Sequence, residues 1–167
     1  LESDAAETRR LAEDLTINVT SFFRDDEPFR TLERIVIPDV LERQRGDGVR
    51  IWVPGCSSGE EAYSLAMLFR EQLQEQPRPS QLQIFATDID ASALAEARRG
   101  QYTSAVERQV SAERLARFFT KHGESYSVTK ALRDLCIFTE HDLVKDPPFS
   151  RMDVVSCRNL LIYLEPA

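Results

Sequence analysis

The apolar positions change period several times along the chain. Phe29, Leu32, Val36 and Val40 recur at helical spacing. Asp25, Asp26 and Pro28 precede them and supply an acidic, proline-bearing helix start. Pro38 predicts a kink or a restart in that helix, and Arg45-Gly46-Asp47-Gly48 ends it. Residues 50–54 form a short apolar run that reads as a strand. Residues 60–74 then place Ala62, Leu65, Ala66, Phe69 and Leu73 on one helical face. A second strand is predicted at 82–87, and a helix at 92–99 stopped by Gly100. Residues 101–135 break this rhythm, with a short helix at 111–119 and weak strands at 126–128 and 131–135. Buried strands return at 136–139 and 152–156, followed by an apolar segment at 160–164. Upstream, the charged residues 1–15 predict a frayed or docking helix, and 16–24 a polar-aromatic loop.

Strands alternating with helices predict an α/β fold with a mainly parallel, Rossmann-like sheet. Residues 16–100 and 136–167 would build that sheet, 101–135 would form a small inserted β-subdomain, and 1–15 a linker or the end of a helical domain. Ligands of such sheets bind outside the carboxyl ends of the strands. Four predicted ends converge there: Gly55 to Glu60, Asp88, Asp142 and Asn159.

The turn Gly55-Cys56-Ser57-Ser58-Gly59 joins a strand to a helix, as at nucleotide sites. Glu60 and Glu61 follow at once. A helix N-terminus that holds a pyrophosphate is kept free of carboxylates. The two glutamates therefore argue against a dinucleotide or a triphosphate. They favour a ligand with hydroxyls and positive charge, and S-adenosylmethionine fits, with its ribose diol, ammonium and sulfonium. Asp88 is placed to accept from ribose hydroxyls; its alternative is a helix cap, for which Asp90 is better positioned. Asp142 is placed either to accept from an adenine amino group or to serve as a turn acid. Asn159 offers a donor and an acceptor at the last strand end, or a structural turn.

Composition narrows the partners. The chain has 167 residues, enough for one domain and a small subdomain. Its formal net charge of -7 and lack of a basic, aromatic-laced cluster disfavour nucleic acid. Arg98-Arg99 is the strongest basic pair and reads as a solvated helix end. No run of eighteen apolar residues occurs, so no membrane insertion is expected. Cys56, Cys136 and Cys157 lie in or beside apolar runs without metal-ligand spacing; they predict buried, reduced thiols in a cytoplasmic protein. His122 and His141 are isolated, and no metal site is predicted. No signal peptide is visible, and Leu1 in place of an initiator Met suggests a piece of something longer.

Four segments together resemble one family. They are Asn18-x-Thr20-x-Phe22-Phe23-Arg24, Gly55 to Ser64, Ala86-Thr87-Asp88-Ile89-Asp90, and Cys157-Arg158-Asn159-Leu160-Leu161-Ile162-Tyr163. In this order they resemble the bacterial chemotaxis receptor methyltransferases of the CheR type, over about residues 15–164. The resemblance implies a class I methyltransferase fold and methyl transfer from S-adenosylmethionine to glutamate side chains of chemoreceptor helices. Carried over by position, Asn18 and Thr20 contact the cofactor, Arg24 binds the carboxylate of its methionine part, and Glu60 lies at its ammonium. Gly55 lines the turn, Asp88 holds the ribose, Asp142 and Leu143 flank the adenine, and Asn159 and Leu160 line the methionine end. Tyr163 lies near the reacting methyl group and, with Arg24, orients the reactants. S-adenosylhomocysteine is the implied product.

The inserted segment resembles the family's β-subdomain, which in some members docks a receptor's C-terminal pentapeptide through a longer, glycine-rich loop. Here the corresponding stretch, residues 121–126, is short and has one glycine, which implies a pentapeptide-independent type. The family's sheet continues past the position of Tyr163. An isolated chain would then leave a sheet edge uncovered, and a covering partner, a swapped or edge-paired dimer, or a chain cut inside the fold is expected. A different class also fits: an S-adenosylmethionine-binding signalling module of a larger fused sensory protein that no longer methylates.

Overall fold

The computed structural model describes residues 20–43, 48–74 and 81–163. The docking helix expected at 1–15 and the first part of the polar-aromatic loop lie outside the described residues. Helix α1, Asp26–Thr31, runs through a π-helical stretch, Leu32–Val36, into α2, Ile37–Arg43. The proline expected to kink or restart the helix therefore widens one turn instead. Pro38 has no N–H for the carbonyl four residues back. The Ile37 N–H meanwhile reaches back five residues to the Leu32 carbonyl. Asp25 does not cap α1 with its side chain and sits at φ 59°.

Strand β1, Val49–Pro54, is parallel to β2, Leu82–Asp88, and also to β7, Val154–Val155. Strand β6, Cys136–Glu140, pairs in parallel on the far side of β2, giving the order β6-β2-β1-β7. Between β1 and β2 runs α3, Glu60–Gln74, whose residues Ala62 to Phe69 are all buried. This is broader than the single face expected, because α3 packs on the sheet, on α2 and on the inserted segment. Helix α4, Ala91–Arg99, is capped by Asp90, which accepts from the Ser92 and Ala93 N–H groups, and it ends at Gly100. The strand expected at 152–156 is only two residues long, and Val155 is 55% exposed. Among the described residues it has one neighbour, β1, so one ladder sets its length.

The segment after Gly100 forms a separate antiparallel sheet in the order β3-β5-β4. Its strands are β3, Gln101–Thr103, then β4, Phe119–His122, and β5, Ser125–Val128. A 3-10 turn, Ser104–Arg108, and helix α5, Ala112–Phe118, lie between β3 and β4. Residues 131–135, expected as a strand, belong instead to a one-turn helix, α6, Lys130–Arg133, and its exit. Ala, Leu, Lys and Arg are good helix formers, and only Leu132 is buried there. The hairpin that includes β5 joins it to β4, through a turn at Gly123 and Glu124. Gly123 adopts φ 61°, the left-handed conformation that a glycine takes without strain.

Candidate functional site

The glycine turn is held from three sides. The Asp88 carboxylate accepts from the Ser57 N–H at 2.7 Å and from the Asp90 N–H at 3.0 Å. Asp88 thus ties the turn to the end of β2, while Asp90 does the helix capping. The Cys56 N–H donates to the Thr87 carbonyl. The Tyr102 hydroxyl of the inserted sheet donates to the Ser58 carbonyl at 2.7 Å. Gly55 stands at φ 68°, and a Cβ there would lie 2.9 Å from Leu160 Cδ2. Leu160 therefore rests directly on the turn.

The two glutamates point to different surroundings. Glu60 is 9% exposed, and its carboxylate accepts from the Ser58 hydroxyl at 2.8 Å. Burial raises its pKa above the ordinary carboxylate range, opposed by Ser58; Glu96 adds to the rise. Tyr102 is also close enough to feel its charge. The Glu60 carboxylate is thus engaged within the turn itself, by Ser58. Glu61 faces the strand ends: its carboxylate accepts from the Ser156 hydroxyl at 2.7 Å. Burial raises its pKa too, against the pull of Ser156, Arg158 and Arg24. Of the two carboxylates, Glu61 is the one whose charge Arg158 and Arg24 favour, whereas the resemblance implies Glu60 at the cofactor's ammonium. A helix turns by about 100° per residue, so adjacent carboxylates leave it in different directions.

Arg24 is half-buried on a loop whose neighbours Phe23 and Asp25 adopt φ 49° and 59°. Arg158 braces that loop. Its Nη2 donates to the Arg24 carbonyl at 2.7 Å and pairs with Asp25 at 3.1 Å. Its guanidinium lies 5.0 Å from the Phe29 ring centroid. Arg158 Nη1 is buried with no hydrogen-bond partner among the described residues. Arg158 lies within the Cys157–Tyr163 motif, whose pattern assigns it no role. The signal for Glu61, Ser156 and Arg158 is their convergence across 95 or more residues, which no local pattern carries.

The remaining expected residues are less gathered. Asn18 lies outside the described residues, and so does the side chain of Tyr163, whose backbone ends a 3-10 turn, Leu161–Tyr163. Thr20 is half-buried before the loop. Asn159 is exposed at φ 55°. The Asp142 carboxylate accepts from the Val144 and Lys145 N–H groups and pairs with Lys145 at 2.8 Å. Those bonds, led by Lys145, hold it below the ordinary range. Of its two readings, the turn acid describes these contacts, and half-buried Leu143 follows it in the turn. The three cysteines are free, and burial raises the pKa of each thiol. Cys56 is buried, while Cys136 and Cys157 are half-buried. Among the described residues no group of three His, Cys, Asp or Glu side chains could hold a metal ion. No described helix is long and apolar enough to cross a membrane.

The cluster suits a zwitterion without phosphate. A carboxylate would meet Arg24 and the unpartnered Arg158 Nη1, and an ammonium would meet Glu61. A parallel sheet with a glycine turn and an acid at the end of β2 is the arrangement of a Rossmann-like, nucleoside-binding domain.

Comparison with known proteins agrees. Residues 18–167 match the family described as "CheR methyltransferase, SAM binding domain", and the chain belongs to that family. Its cofactor is S-adenosylmethionine. The chain is 36% identical over 163 residues to a chemotaxis protein methyltransferase of Listeria monocytogenes, covering 98% of this chain and 60% of that protein. It is 39% identical over 156 residues to chemotaxis protein methyltransferase 1 of Pseudomonas aeruginosa, covering 89% and 56%. It is also 40% identical over 167 residues to an uncharacterized 104.1 kDa protein of Rhodobacter capsulatus, covering 99% and 18%. The chain thus spans at most about three-fifths of the length of these relatives.

Proposed function

We propose that this chain is the catalytic domain of a cytoplasmic protein-glutamate O-methyltransferase that esterifies glutamates of chemotaxis receptors. The observation that carries the reading is the convergence beside the glycine turn of Glu61, bonded to Ser156, with Arg158, bonded to the Arg24 carbonyl. Arg24 and Arg158 take the carboxylate of the methionine part, and Glu61 its ammonium. Asp88 holds the ribose with the acceptor capacity left over from the turn. Gly55, Thr20, Asn18, Asn159 and Leu160 complete the walls, Asp142 and Leu143 flank the adenine, and Tyr163 faces the reacting methyl. Glu60 is reassigned from the ammonium to the underside of the turn. The division of the chain into a two-part cofactor domain and an inserted subdomain at 101–135 is part of the same reading.

S-adenosylmethionine supplies a methyl group already activated on a sulfonium. The accepting glutamate is ionised at neutral pH, with an unperturbed pKa of about 4.3. The carboxylate oxygen forms the new bond to carbon while sulfur keeps the electron pair of the old one. No proton moves, so no general base is required. The protein's own contribution is alignment and exclusion of water.

The test is transfer of tritiated methyl from labelled S-adenosylmethionine to receptor cytoplasmic fragments. Base-labile label, absent when the accepting glutamates are changed to Gln, supports the reading. Saturable S-adenosylhomocysteine binding without transfer sinks it. That result favours the non-catalytic signalling module, a reading supported by the 104.1 kDa relative of which this chain covers 18%.

A further inference from the structure

Phe23 and Asp25 flank Arg24 with positive φ, and neither is glycine. Backbone in that region is costly and persists where the surroundings over-determine it. Much of what determines this loop comes from the inserted segment. The Phe22 N–H donates to Gln109 Oε1 at 3.1 Å. The Phe22 ring meets Tyr102 and Phe119 edge-on, at centroid distances of 4.8 and 5.5 Å. The Arg114 guanidinium lies 4.8 Å from the Phe23 centroid. That guanidinium is itself locked, by two-pronged bonding to Glu71 of α3 and by a 3.0 Å pair with Glu33. From the main domain, the Ser64 hydroxyl accepts from the Phe23 N–H at 3.1 Å.

We propose that Gln109 and Arg114 of the inserted segment are positioning residues for the cofactor: they hold the Phe22–Arg24 loop so that Arg24 meets the ligand's carboxylate. The inference rests on the proposed cofactor-binding role of Arg24. It gives the inserted segment a second role, distinct from any contact it makes with a protein substrate. Gln109 acts through its carbonyl oxygen alone, and its side chain is exposed, so it can be changed with little effect on folding. Arg114 acts through a planar guanidinium that stacks and forks at once, a geometry lysine does not reproduce.

The experiment is calorimetric titration of the full-length protein and its variants with two ligands. S-adenosylhomocysteine carries the amino-acid carboxylate, and 5′-methylthioadenosine lacks it. Gln109→Ala is expected to weaken S-adenosylhomocysteine by about fivefold, the size of one ordinary hydrogen bond. It should leave methylthioadenosine and the melting temperature of the unliganded protein unchanged. Gln109→Glu keeps an acceptor and should restore affinity. Arg114→Lys should show the same ligand-selective loss. Equal weakening of both ligands, no weakening at all, or failure of Gln109→Glu to restore binding overturns the proposal while the proposed function stands. A parent protein that does not bind S-adenosylhomocysteine overturns both.

Discussion

In the proposed site, Arg24 and Glu61 are the half that recognises charge. Arg24→Ala removes a forked cation, and hydrogen bonds to charged groups are worth about 1.5–3 kcal/mol. It is expected to weaken S-adenosylhomocysteine by tenfold or more in calorimetry; unchanged affinity would remove Arg24 from the site. Glu61→Gln should cost a similar factor, and Glu60→Gln little. The pH behaviour of the two carboxylates also separates them. The ammonium contact needs Glu61 ionised, so affinity should fall as pH drops through its pKa, which burial lifts above the ordinary range. Glu61→Gln should flatten that limb. Glu60 bears on stability instead. Its native pKa is raised, so between the unfolded and native values the native state binds more protons. Its contribution to stability therefore declines as pH rises through that window, and the penalty is complete above it. Glu60→Gln should melt no lower than the parent at neutral pH and show less of this decline. A clear fall in melting temperature there would show that the Glu60 charge is compensated. The sequence carried the residue types of this site but not the rotation of α3 that sends Glu60 and Glu61 apart. That rotation comes from packing: α3 buries Ala62 to Phe69, and its first turn follows that constraint.

Among the elements, α4 was legible because its ends are local chemistry. Asp90 caps it with bonds of 2.8 and 3.1 Å, and Gly100 stops it at φ 58°. Asp90→Ala should lower unfolding free energy by about 1 kcal/mol, read from urea denaturation with an unchanged slope. A change within a few tenths would mean that the cap is replaced by water or by a neighbour. The parallel strands β1, β2 and β6 were legible as apolar runs with a turn at each end. The inserted segment was legible only in part. Its sheet is held by pairing between residues up to 26 apart, as in Gln101 with Ser127, and β4 reads locally as the end of a helix. Residues 131–135 offered Leu132 and Leu135 at a spacing that fits either a strand or a turn of helix. The π-helical stretch before Pro38 was not legible in detail, because the proline forbids one bond without dictating which alternative replaces it.

At the scale of the whole molecule, the inserted sheet is the part that differs most from a bare nucleoside-binding fold, and its hairpin bears on how substrate is reached. Strands β4 and β5 join through Gly123 and Glu124 alone, with His122 opposite Ser125. A two-residue turn adds no surface beyond the strands. On the exposed strand β4, Lys121 is already paired with Glu107 and lies over the Tyr126 ring. Tyr126 in turn donates its hydroxyl to Glu107. These side chains are committed to one another rather than offered to an incoming peptide. We therefore propose that the receptor is engaged without a tail tether, and that removing its last five residues leaves the methylation rate within about twofold. Added free pentapeptide should neither bind in a titration nor inhibit. Tethering acts by raising local substrate concentration, so its loss would be large where it operates, commonly a hundredfold or more. A drop of that size on tail removal would show that this short hairpin docks a peptide after all. The edge of β4 or of β3 would then be the place to look, since both flank the inserted sheet with one side unpaired among the described residues.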